Sequence, residues 1–305
     1  MNEITVCIPV FNEEKTISTV ISSVLSQSRN QNIHILLVAS GCTDQTIPII
    51  NGLIKDGHSL SLLVEDERRG KASALNLAFS YLREIESEYI IFTDGDVLID
   101  DFAIEEILKT YLEYPELSII TGHPIPLNPP SSIWGKIAEE NCTVWDLTRK
   151  QLMTTRKVWP ISGYLFSLRY NAIPKKIPLG CVVEDAFIGL NAMESNLQLG
   201  YAPNAFVKVQ FPTNIKDYYH QKSRTRTGWY QISLLSPKEF KFLNKLQQSI
   251  LRTRIQRGKK ISLICWLIDK IIWNLDLIFT RRQKNRQLWA VAKSTKKLPE
   301  SKINE

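Results

Sequence analysis

Tyr89-Ile90-Ile91-Phe92-Thr93-Asp94-Gly95-Asp96-Val97 turns from an apolar run into two carboxylates flanking one glycine. The β-prone residues followed by Asp-Gly-Asp read as a buried strand ending at an acidic loop. In an open α/β sheet, ligands bind outside the carboxyl ends of the strands. Two carboxylates there are suited to a hard divalent cation, which in turn holds phosphate oxygens. Taken alone, the same string also fits an Asp-Gly turn between two surface strands.

The neighbouring sequence alternates strand and helix patterns. Ile4–Val10 is a short apolar strand stopped by Pro9 and Asn12. Ile17, Val20, Ile21, Val24 and Leu25 then recur as on one helix face. Residues 33–38 and 61–65 predict further strands, 71–83 a helix, and 117–122 another strand. Asp44 is expected to cap a helix over 47–54. The alternation predicts a mostly parallel, Rossmann-like sheet with helices on both faces. The proline-rich stretch from Pro124 to Pro130 marks a boundary. A long helix is expected over 133–153, a strand over 163–168, a helix starting near Asp185 and a strand over 205–211. A basic, largely helical region follows from Asp217, and residues 294–305 read as a loose polar tail.

The 305 residues are enough for one large domain plus an appendage, and the mean hydropathy of −0.13 is that of a soluble globular chain. The five cysteines are scattered without metal or disulfide spacing, which points to a reducing, cytoplasmic compartment. Nothing at the N-terminus has the pattern of a signal peptide. Charge is divided unevenly: residues 1–130 hold 8 Lys/Arg against 19 Asp/Glu, and residues 131–305 hold 30 against 12. An acidic half joined to a basic half suggests a metal or nucleotide site beside an anionic partner surface.

Four strand-end or helix-start loops carry ligand chemistry in order. Pro9-Val10-Phe11-Asn12-Glu13 can present its backbone and Glu13 to a base or ribose, and Ser40-Gly41-Cys42-Thr43-Asp44 closes the second strand. Arg68-Arg69-Gly70-Lys71 opens a helix where backbone N–H groups and Lys71 can meet an anion. Asp94-Gly95-Asp96 is the fourth. This ordered set resembles the family 2 glycosyltransferases of the GT-A fold. Pro9–Glu13 matches their Pro-X-(Phe/Tyr)-Asn-Glu motif, Ser40–Asp44 part of their Asp-Gly-Ser-Thr-Asp-like loop, Gly70–Asn76 their Gly-Lys-X-X-Ala-Leu-Asn motif, and Asp94–Asp96 their Asp-X-Asp. Ser162-Gly163, Val183-Glu184-Asp185 and Gln221-X-X-Arg224-X-Arg226 extend the likeness to about residue 230.

The resemblance implies inverting transfer of a sugar from a nucleotide-diphosphate-sugar donor to an acceptor hydroxyl. It assigns Asp185 as the base and Asp94 and Asp96 as ligands of Mg²⁺ or Mn²⁺. Pro9, Phe11, Glu13, Ser40, Gly41, Lys71, Gly95, Arg224 and Arg226 fall to the donor side, and Gly163, Glu184 and Gln221 to the acceptor side. Gln210 stands where some relatives complete the metal shell. It also implies a donor half over 1–125, an acceptor half of the same domain over 126–235, and a basic helical extension over 236–305. Two positions depart from the family: Ala39-Ser40 replaces the usual acidic pair, leaving the nucleobase open, and Thr225 replaces the tryptophan of processive synthases, favouring single transfer. The chain also lacks the several membrane spans of those synthases. The acceptor, whether a glycan, a lipid-linked sugar or a small molecule, is not readable. Competing classes are a nucleotidyltransferase with the same acidic metal site and a nucleic-acid-binding protein. The Glu184-Asp185 and Gln221–Arg226 elements speak against the first. The acidic first half, and basic residues not interleaved with stacking aromatics, speak against the second.

Residues 216–286 contain 17 Lys/Arg and 4 Asp/Glu around the apolar segment 261–279. Asp269, Lys270, Asn274 and Asp276 interrupt it, and central charges at about 2.5–3.5 kcal/mol each argue against a membrane span. Ser262, Asp269 and Asp276 recur every seven residues, so one stripe is polar and the rest apolar. With flanking basic clusters this fits a helix lying on an anionic membrane face. It equally fits a helix packed on the catalytic domain or in a homodimer.

Overall fold

The computed structural model describes residues 4–29, 32–85, 87–236, 240–279 and 293–296. Eight strands form one sheet: β1 (Ile4–Val10), β2 (Ile33–Ser40), β3 (Leu60–Glu65), β4 (Tyr89–Thr93), β5 (Val97–Ile99), β6 (Leu117–Pro126), β7 (Leu165–Arg169) and β8 (Gln198–Val209). Their spatial order is β3-β2-β1-β4-β7-β6-β8-β5. The first four in that order pair in parallel, as do β6 and β8, while β7 and β5 run antiparallel to their neighbours. The parallel half is nearly all apolar because helices cover both its faces. On one side α1 (Ile17–Leu25), α2 (Thr46–Lys55) and α4 (Ala103–Glu113) bury Ile17, Val20, Ile50 and Ile107 against Val6, Ile8, Ile35 and Leu37. On the other, α3 (Lys71–Ile85) and α6 (Glu184–Glu194) bury Leu75, Phe79 and Ile188 against Leu36, Phe92 and Phe166.

Two local expectations change. Asp44 lies one residue ahead of the residue that flanks α2, Gln45, and its carboxylate accepts the N–H and hydroxyl of Thr46. Pro124 and Pro126 do not end a unit. They continue β6, paired with Val207 and Val209 of β8. The β7 pairing stops at Thr121, so beyond it β6 has one free edge, where a missing N–H donor is tolerated.

The second half adds α5 (Ile133–Met153), α7 (Ile215–Leu235), α8 (Phe240–Arg257) and α9 (Lys260–Phe279). Arg257 donates two hydrogen bonds, 2.8 and 3.0 Å, to the buried Glu140 of α5, and Arg254 donates to Asn141 at 2.6 Å. Ser262 and Asp269 of the polar stripe of α9 face the protein. Asp269 accepts from Tyr218 Oη at 2.9 Å and pairs with Lys222 at 3.0 Å, both on α7, while Ser262, Cys265 and Ile272 are buried. Leu263, Ile264, Leu267 and Ile271 are left exposed at 43–57% on the opposite face. The helix therefore packs on the body of the protein, and among the described residues its apolar face stays exposed. Among the described residues no helix is long and apolar enough to cross a membrane.

Candidate active site

The carboxyl ends of β1, β2 and β4 open into a cleft of about 1060 Å³, walled opposite by α5, α6 and α7. Every site residue expected from the sequence lines it except Gly41. Gly41 packs closely against Arg68. Its φ is +63°, and a β-carbon there would stand 2.3 Å from the backbone nitrogen of Arg68. That close approach brings the Arg68 guanidinium 4.0 Å from the centre of the Phe11 ring. Beside it the Ser40 hydroxyl is buried with no hydrogen-bond partner, and Ala39 is packed into the core.

Asp94-Gly95-Asp96 forms the turn between β4 and β5, with Val97 N–H returning to Asp94 O at 3.3 Å. Lys71, the first residue of α3, donates to Asp94 Oδ1 at 2.5 Å. Glu13 is buried behind the same turn. Its Oε2 accepts from Thr16 Oγ1 at 3.0 Å, and the same hydroxyl lies 2.9 Å from Gly95 O. A β-carbon on Gly95 would meet Val10 Cγ1 at 2.9 Å and Glu13 Cγ at 3.0 Å, so the turn needs glycine. Burial, and then the charges of Asp94 and Glu13, push the Asp96 carboxyl up to about 7. Burial also raises Glu13, against the opposing pull of Lys296. Burial works to lower the Lys71 ammonium, but Asp94 and then Glu184 outweigh it and raise it.

Across the cleft Glu184 and Asp185 occupy the first turn of α6. Asp185 Oδ1 accepts the N–H of Ala186 at 2.8 Å, leaving Oδ2 beside Gly163. Lys71, Asp94, Gly163 and Asp185 also surround one small cavity, so the acidic turn and the α6 carboxylate meet around a single lysine. Burial raises the Glu184 carboxyl, with Lys71 opposing. Gln221 donates to Tyr164 Oη at 3.2 Å, Arg224 lines the cleft, and Arg226 lines it while largely buried. Gln210 is buried and donates to Phe211 O at 3.1 Å.

Three further cleft residues carry no local sequence signal. Trp229, one turn beyond Thr225, packs edge-on against Trp159 with ring centres 5.3 Å apart. Arg149 of α5 is buried near Trp145 and Tyr201, with Nε and Nη1 unpartnered. Lys296 reaches in from the far end of the chain to Glu13 and to Phe11 O. Ser294 is likewise bonded to α7, which corrects the expectation of a loose tail for 294–296; residues 297–305 lie outside the described residues.

Among the described residues no cluster of three or more His, Cys, Asp or Glu forms a metal cage. A crowded carboxylate pair fits instead the sites of Mg²⁺ and its kin, which use one or two carboxylates plus substrate phosphates. Asp94 and Asp96 line the cleft from one turn with the Glu13 carboxylate buried behind them, and that donor set is what fits such an ion.

This architecture is that of the GT-A glycosyltransferases. The mannosyltransferase from Pyrobaculum calidifontis, solved in complex with GDP-Man and Mn²⁺, superposes with a TM-score of 0.67 at 15% identity, over 92% of this chain and 88% of that one. Glucosyl-3-phosphoglycerate synthase from Mycobacterium tuberculosis, solved with Mn²⁺, UDP and glucosyl-3-phosphoglycerate, gives 0.52 at 15% identity, covering 76% and 79%. The model of glycosyl transferase family 2 matches residues 5–173, and the chain belongs to that family. The poly-beta-1,6-N-acetyl-D-glucosamine synthase of Staphylococcus epidermidis is 26% identical over 274 residues, 88% of this chain and 64% of that protein. Its counterpart in Staphylococcus aureus strain COL is 24% identical over 76% of this chain and 55% of its own. The chain thus spans somewhat less than two thirds of the curated relatives it matches.

Proposed function

We propose that this protein transfers a sugar from a nucleoside-diphosphate sugar to an acceptor hydroxyl, with inversion, in the synthesis of a cell-envelope or lipid-linked glycan. The observation that carries the reading is that Asp94-Gly95-Asp96, Lys71 and Asp185 line one cleft, with Lys71 bonded to Asp94. The nucleotide lies against Phe11, Ser40 and Arg68, with its diphosphate toward Asp96. Asp96, with Asp94 beside it, would hold a divalent cation, which would supply positive charge toward the leaving diphosphate. Arg224 adds charge from the α7 side. Asp185 Oδ2 takes the proton of the acceptor hydroxyl while its oxygen bonds to the anomeric carbon and the bond to the diphosphate breaks. Direct displacement from the face opposite the leaving group inverts the anomeric centre and needs no covalent intermediate. Glu184 and Gln221 shape the acceptor side. Support for a polysaccharide context comes from the synthases among the relatives, and Thr225 supports one transfer per encounter.

We further infer that α9 attaches the protein peripherally to an anionic membrane. Asp269 of its polar stripe is bonded to α7, its Leu263, Ile264, Leu267 and Ile271 are exposed, and exposed Lys259 and Lys260 stand at its start.

A screen of nucleotide-sugars with Mg²⁺ or Mn²⁺ tests the catalytic reading. Metal-dependent turnover of at least one donor is expected. Failure to bind or hydrolyse any of them contradicts it.

A further inference from the structure

Residues 294–296 return to the donor end of the cleft, and Lys296 stands 283 positions from the Glu13 it touches. Two bonds anchor the segment at the start of α7: Ser294 N–H donates to Asp217 Oδ2 at 3.0 Å, and Thr213 N–H donates to Ser294 Oγ at 3.4 Å. From that anchor the Lys296 ammonium donates to Glu13 Oε1, to Phe11 O at 2.5 Å and to Asn12 O at 3.4 Å. It also lies 5.6 Å from the centre of the Phe11 ring. Thr295 and Lys296 form part of the cleft wall. Glu13 in turn packs against Gly95 and is tied to it through Thr16, so one side chain links Lys296 to the acidic turn. Two ammonium groups thus serve this end of the site, Lys71 on Asp94 and Lys296 on Glu13.

We propose that Lys296 is a donor-site residue: a fixed cation, delivered by the C-terminal segment, that favours a nucleoside diphosphate beside Phe11 and Glu13 and opposes a divalent cation bound there alone. This rests on the nucleotide-sugar reading above. The physical basis is charge. Glu13, Asp94 and Asp96 would together repel a diphosphate, and a positive group among them offsets that repulsion in a site largely removed from water. The same positive group repels a metal ion that arrives without its nucleotide. The Ser294 bonds would anchor the segment whatever the side chain at 296, so the ammonium is separable from the anchor. A segment that only blocked the cleft would behave oppositely, because its loosening would let nucleotide in.

The test uses the full chain, with Lys296→Met to remove the charge and Lys296→Arg to keep it, each variant checked for an unchanged melting temperature. Free Mn²⁺ is titrated by electron paramagnetic resonance, and UDP and GDP are titrated calorimetrically in saturating Mn²⁺. In Lys296→Met, Mn²⁺ alone binds about three- to tenfold tighter and the nucleoside diphosphate about three- to tenfold weaker, the scale of one partly screened charge. Lys296→Arg stays within about twofold of the parent on both. Unchanged or tighter diphosphate binding in Lys296→Met overturns the proposal, as does Mn²⁺ binding that is no tighter. A parent protein that binds neither UDP nor GDP overturns the glycosyl-transfer reading itself and the inference with it.

Discussion

Gly163 leaves the space that Asp185 uses: a β-carbon at Gly163 would stand 2.9 Å from Asp185 Oδ2 and 3.3 Å from its Cγ. The carboxylate is thus held from one side by Ala186 N–H and from the other by the absence of a side chain. Gly163→Ala is expected to push Asp185, the proposed base, off line, since a misplacement of about 1 Å can cost ~100-fold in rate. Transfer should fall by at least about tenfold while nucleotide affinity stays within about twofold. Steady-state kinetics beside calorimetry separates the two, and equal losses in both would show that the contact does not act on the base.

If Asp96 holds the metal as proposed, its carboxyl, raised to about 7 by burial and by Asp94 and Glu13, sets a pH dependence for metal binding. Below that value Asp96 holds a proton that the metal must displace; above it the carboxylate is open. Mn²⁺ affinity should therefore climb by up to about tenfold per pH unit below 7 and level off above about 8. A titration that is flat between pH 5.5 and 8 would remove Asp96 from the metal site.

The outward apolar face of α9 makes a separate claim about membranes. Leu267→Glu with Ile271→Glu should abolish co-sedimentation with vesicles rich in anionic lipid and leave the melting temperature unchanged, because both residues are exposed at more than half. Sedimentation that persists in the double variant would exclude this face as the attachment surface.

The parts of this site that follow chain order were legible in the sequence. Strand β4 and its acidic turn announce themselves because burial and ligand chemistry change within three residues. Lys71 was readable as the lysine of a glycine-led helix start, and Glu184-Asp185 through the family resemblance and its place at a helix start. What was not legible is whatever depends on approach between distant segments. The fit of Gly163 around Asp185 is one such contact, and the Thr16 link from Glu13 to Gly95 is another. Lys296 is the extreme case, a lysine in a polar tail whose role comes only from where the fold delivers it. The heptad of Ser262, Asp269 and Asp276 was readable as a stripe, but the inward turn of Asp269 was not, because Tyr218 and Lys222, which draw it in, lie on another helix. Pro124 and Pro126 misled for a related reason: a free sheet edge, invisible locally, admits them into β6.

The central claim is that Asp185 acts as the base while the Asp94-Gly95-Asp96 turn holds the donor. The direct measurement compares Asp185→Asn with the parent protein for Mn²⁺-dependent nucleotide binding and for sugar transfer, using the donor that the nucleotide-sugar screen identifies. Binding within about twofold of the parent and transfer lowered by about 100-fold or more is the predicted result. Transfer that survives in Asp185→Asn would contradict it.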